Sequence, residues 1–132
     1  MAAPITALWG GLLGILMLVL AARVVQARVS ENVVIGDGGS TLVLQRIRVH
    51  GNFSEYVPMV VLLMLLLELG GASAALLHAI GASLFVARVL HAFGLSRSSG
   101  PSFGRFVGTV ATFVLLLAAS VLALYSYWSR AA

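Results

Sequence analysis

Three long runs without a charged side chain, Met1 to Ala22, Leu69 to Ala87 and Phe106 to Ser129, constrain this chain more than any other feature. Each is near or above the ~20 residues that a helix needs to cross a bilayer. A fourth apolar run, Val57 to Leu67, is too short alone and reaches that length only if its helix begins upstream, near Ser40 or Thr41. The apolar runs are continuous and show no period-two alternation, which argues against barrel strands. The expectation is an all-α, integral membrane four-helix bundle, a single domain over residues 1–132, with helices at about 4–26, 41–69, 72–95 and 102–128. Hydrophobic residues make up 61% of the chain and charged residues 9%, a mix foreign to soluble globules. Nothing positive precedes the first apolar run, so it reads as a retained span rather than a secretory signal.

The charges are lopsided. Arg23, Arg28, Arg46 and Arg48 flank the first connection, Arg88, Arg97 and Arg105 flank the third, and Arg130 stands alone at the other end. By the positive-inside rule, connections one and three face the cytoplasm and both termini face away. The net charge of +4 therefore reflects topology rather than a nucleic-acid footprint, which would interleave a basic face with exposed aromatics. Without cysteine there is no disulfide, thiolate metal site or protein thiol nucleophile. In the first connection, "SENVVIGDGGST" reads as a glycine-rich turn with Ser40 or Thr41 as a helix cap. No lysine follows the glycines, so a phosphate loop is disfavoured. Pro101, in "FGLSRSSGPS", suits the first turn of helix 4.

Helix 2 opens with "RVHGNFSEYVP". At 100° per residue, Arg48, Asn52, Glu55 and Tyr56 share one arc of about 100°, while Arg46 and His50 fall nearly opposite. A lone bundle would struggle to satisfy two polar sides, which favours an oligomer with helix 2 between neighbours. Ionisable groups at membrane depth are costly and are either paired or line a pocket. Pairing of Arg48 with Glu55 is one account. Against it, Arg46, Arg48 and Arg105 lie near positive helix ends, where cations are disfavoured unless an anion sits between them. Glu55 makes sense beside such an anion if the ligand also carries an ammonium. Glutathione has that inventory of two carboxylates, an amine and an ionisable thiol.

The pattern Arg48-x-His50-x-Asn52-x-x-Glu55-Tyr56-x-Pro58 resembles the signature of the membrane-associated proteins in eicosanoid and glutathione metabolism (MAPEG), here of bacterial type. The likeness covers the whole chain in outline: four spans, a glycine-bearing first loop, the motif opening helix 2 and an arginine opening helix 4. It implies a homotrimer in the bacterial inner membrane, with glutathione as co-substrate bound between subunits near the cytoplasmic side, and no metal. Glutathione would be held by Arg48, Asn52, Glu55 and Tyr56, by His50 of the adjacent chain, and by Arg88 and His91, with Arg105 stabilising the thiolate. His91 stands where a tyrosine is common, and Leu95 where some synthases have a second aromatic. The alignment around "RSSGPSFGR" needs a gap, which disfavours Arg97 as the thiolate partner.

The expected activity is a glutathione transferase or peroxidase acting on lipophilic electrophiles that arrive through the bilayer. One alternative is a non-catalytic lipid-binding helper of the same fold, a member of which lacks the catalytic arginine. A small transporter using Glu55 and the histidines is another, disfavoured by the absence of broken helices and repeated halves. Several polar residues have plain structural readings. Arg88 and His91 near a helix C-terminus are favourable without any ligand. His78 reads as a histidine bonded between helices, Glu68 as a carboxylate at a wet turn, and "YSYW" as an interfacial belt.

Overall fold

The computed structural model describes residues 1–97 and 103–131, and the side chains of all of these except 95–97, 130 and 131. Its four helices are α1 (Pro4–Ser30), α2 (Thr41–Leu69), α3 (Ala74–Arg97) and α4 (Phe103–Ala131), and each is long and apolar enough to cross a membrane. All regular structure among the described residues is helical, as the continuous apolar runs require: in lipid the backbone must satisfy its own hydrogen bonds.

The helix ends follow from local chemistry. α1 runs to Ser30, four residues beyond the expected end, because Arg28 suits the last turn and Asn32 can take the left-handed conformation (φ 54°) that closes it. There Val33 N–H donates to Arg28 O at 2.9 Å and Asn32 N–H to Val29 O at 3.3 Å, the paired bonds of a Schellman cap. α2 closes in the same way, with Gly71 at φ 78° and Ala72 N–H on Leu67 O at 2.9 Å. That cap occupies Ala72, so α3 starts at residue 74 rather than 72, with Ser73 Oγ accepting from Leu76 N–H. Ser40 is the N-cap of α2: its Oγ accepts from Val43 N–H and donates to Glu31 Oε2 at 3.1 Å, drawing the first connection closed. Pro101 and the loop around it lie outside the described residues.

α2 and α3 form the centre, with α1 on one flank and α4 on the other; among the described residues α1 and α4 share no contact. Leu13 and Leu20 of α1, Phe53, Val57, Val60 and Met64 of α2, and Leu77, Ile80 and Leu84 of α3 build the core. Trp9 lies against Gly81, where a Cβ would collide with its ring, and donates its Nε1 proton to His78 Nδ1 at 3.2 Å. His78 thus bonds between helices as expected. The α3–α4 seam is closer still. A Cβ at Gly108 would stand 2.5 Å from Ala87 O, and one at Gly104 2.9 Å from Leu90 O, so these glycines let two backbones meet as small residues do inside membranes. Phe106, Val114, Leu117, Val121 and Leu124 leave α4 with a broad exposed apolar face. Tyr125, Tyr127 and Trp128 stand exposed at its far end, as an interfacial belt requires.

Candidate functional site

The largest fully buried side chain among the described residues is Arg88, 1% exposed, on α3. One guanidinium nitrogen, Nη2, donates to Asn52 Oδ1 on α2 at 2.7 Å and lies 3.2 Å from His91 Nδ1; the other, Nη1, donates to Thr112 Oγ1 on α4 at 3.2 Å. The ring of Phe53 faces the guanidinium carbon at 5.8 Å. Arginine has only donors, so His91 Nδ1 must accept and its proton resides on Nε2. The same logic turns Asn52 Oδ1 inward and points both Nδ2 protons away from Arg88. Arg88 Nε is buried with no hydrogen-bond partner among the described residues. Among the described residues, every contact of this guanidinium is with a neutral group, and none is a carboxylate.

The cluster continues towards both neighbours. Tyr56, one turn beyond Asn52, packs edge-to-face on Phe113 of α4 with centroids 5.1 Å apart, and lies near Arg88. Arg105, exposed in the first turn of α4, is close enough to act on His91. Arg48 and Glu55 occupy the exposed margin of the same α2 arc and make no ion pair with each other among the described residues. The structure therefore brings Asn52, Tyr56, Arg88, His91 and Arg105 together across three helices and leaves Arg48 and Glu55 open beside them. His50 is half-buried on the other side of α2.

Arg46 lies opposite the Arg48 arc, as helical spacing requires, and so departs from the expectation of one anion shared by three arginines. Instead of joining Arg48 and Arg105 around one anion, it turns to α1 and lines a pocket with Arg23, because two residues along α2 rotate a side chain by about 200°. Arg97 and Leu95 have side chains outside the described set.

A model of the MAPEG family matches residues 6–125 of the chain. The chain belongs to this family. Similar to this MAPEG protein are the inner membrane protein YecN of Escherichia coli K12 and that of Escherichia coli O6:H1. Each is 36% identical over 90 residues, covering 68% of this chain and 69% of theirs. Like them, the MAPEG chain is an inner membrane protein, with four helices able to span the bilayer.

Sequence alone missed Thr112 in this MAPEG bundle and the capping role of Glu68. Thr112 completes the Arg88 cluster, and its signal was present in the spacing Gly104-x-x-x-Gly108-x-x-x-Thr112, which puts three small residues on one stripe of α4 facing α3. Glu68 does more than face water at a turn. Its Oε1 accepts from Ile5 N–H at 2.8 Å and its Oε2 from Thr6 N–H at 2.7 Å. A carboxylate at the end of α2 thereby caps the start of α1, where Ala3 offers no side-chain acceptor.

Proposed function

We propose that the protein is a glutathione-dependent transferase or peroxidase of lipophilic electrophiles, working as a homotrimer with sites between subunits. The observation that carries this reading is the Arg88 cluster: among the described residues, a fully buried guanidinium held only by neutral groups, with an unpartnered Nε and with Arg105 close enough to act on its neighbour His91. A charge buried in this way calls for a counter-ion. Glutathione has carboxylates for the arginines and an amine for Glu55, so the residues present fit it.

In this reading Arg48 and the Nδ2 of Asn52 take the glutathione carboxylate and carbonyl oxygens, Glu55 takes the ammonium, and Tyr56 closes the side wall. Arg88 and His91 form the floor. Arg88 also holds Asn52 in the orientation that presents its donors. His50, on the far side of α2, reaches the site of the next subunit. When bound, glutathione would supply a thiolate that forms a carbon–sulfur bond with an electrophile, which loses its leaving group as an anion or takes up a proton at the adjacent atom, or that reduces a hydroperoxide to an alcohol and water while it and a second glutathione are oxidised to the disulfide. Arg105 and the N–H groups opening α4 stabilise negative charge at the sulfur and so raise the thiolate fraction. Phe106, Val110 and Phe113, exposed on α4, offer apolar substrates an approach from the bilayer.

The test is glutathione binding to the detergent-purified protein, read by thermal stability and by ultraviolet absorbance of bound thiolate. A ligand selective for the folded state raises the melting temperature by mass action. A melting temperature unmoved by saturating millimolar glutathione would remove the site assignment.

A further inference from the structure

A second basic pocket lies between α1 and α2, on the side of α2 turned away from the Arg48–Glu55 arc. Its volume is about 300 Å³, and its walls are Arg23, Gln26, Ala27 and Ser30 of α1 with Leu42 and Arg46 of α2. No carboxylate lines it. The guanidinium groups of Arg23 and Arg46 are close enough to repel one another, and Arg46 Nη1 is buried without a hydrogen-bond partner among the described residues. Two like charges converging on a cavity, one of them with an idle buried donor, are unfavourable until an anion lies between them.

We propose that this pocket binds a phosphate-bearing anion. Phosphate matches paired arginine forks bidentately and has oxygens to spare for the Gln26 amide. The depth also fits. Arg46 lies about 8 Å along α2 from its first residue, at the arginine-rich end of the bundle. Basic pockets between transmembrane helices on that side of a membrane are suited to phospholipid head groups. Leu42 and Ala27 supply the apolar walls that the glycerol end of a lipid would meet. A phosphodiester of the bilayer and free phosphate share this chemistry, and the experiment separates them.

The full-length protein is placed in nanodiscs of phosphatidylcholine alone or with added phosphatidylglycerol, and separately in detergent with millimolar inorganic phosphate. Thermal stability and native mass spectrometry of retained lipid are the readouts. Arg23→Gln and Arg46→Gln each remove one fork, and Arg28→Gln removes the same charge outside the pocket. With a lipid ligand, phosphatidylglycerol raises the melting temperature and is retained on wild type and Arg28→Gln, whereas the pocket variants retain roughly tenfold less. With free phosphate as the source, inorganic phosphate protects in the same pattern and phosphatidylglycerol adds nothing. Should Arg46→Gln fail to fold, Arg23→Gln reads the same loss. The proposal is overturned if the pocket variants match wild type in both arms. It is equally overturned if they lose protection by glutathione while neither phosphate source acts on any form, since the pocket would then serve glutathione.

Discussion

Arg88 and Asn52, on different helices, are joined by a 2.7 Å hydrogen bond from Nη2 to Oδ1, and this contact orients both residues. The amide can flip freely in water; against a buried guanidinium it has one orientation, with its donors facing outwards. Arg88→Met should therefore separate two effects. Replacing a buried charge that lacks a carboxylate with an apolar side chain of similar length should leave the ligand-free melting temperature unchanged or higher. The stabilisation by glutathione should fall sharply. A variant that loses basal stability and keeps its full response to glutathione would contradict both halves.

Asn52→Leu leaves Arg88 in place but deprives it of its shortest acceptor. An unpaired buried donor costs about 1–3 kcal/mol, more when charged. Denaturant or thermal unfolding in detergent should show that loss, and Asn52→Asp, which restores an acceptor, should recover it.

Arg105→Leu should lower turnover by ~100-fold to ~1,000-fold, the usual range for removing one electrostatic stabiliser. Glutathione binding, held mainly by α2 residues, should weaken far less, and the thiolate absorbance should fall with turnover. Arg97→Leu serves as the control, eight residues upstream. If Arg97→Leu abolishes the thiolate signal and Arg105→Leu preserves it, the roles of the two arginines are exchanged.

Gly108→Ala should destabilise the bundle because its Cβ would meet Ala87 O, a backbone atom that cannot step aside. Overpacking of this kind costs about 1–3 kcal/mol. Gly14→Ala, where nothing lies within 4 Å of the added carbon, is the comparison and should melt with wild type.

Arg105→Ala and His50→Ala chains, each inactive alone, should regain part of the activity when mixed, because a subunit interface can combine the intact arginine of one chain with the intact histidine of the other. Native mass spectrometry in mild detergent reports the oligomer directly, and a protein that is only monomeric there would leave this complementation without a basis.

The sequence alone determined the parts of this protein that are local. Four spans are legible because a bilayer demands long apolar runs with internally paired backbones, and Ser40 is legible as a cap because it closes α2 through a bond three residues long; the caps at Asn32 and Gly71, which moved the ends expected for α1 and α3, were not. The α2 polar arc was legible too, since helical spacing fixes which residues share a side. Partner choice was not. Small-residue spacing puts Thr112 on the α3-facing stripe of α4, but nothing along the chain shows that Arg88 bonds to Asn52, that Arg46 turns to Arg23, or that Glu68 caps α1 at Ile5 and Thr6. The reason is the solvent. Lipid and protein interior are equally apolar, so α1, α2 and α3 carry leucine and valine all round, and no hydrophobic stripe marks which face turns inwards. Helix rotation is then decided by close approaches, such as those at Gly81, Gly104 and Gly108, and by the few polar groups that must find one another, and these interactions exist only once the helices are assembled.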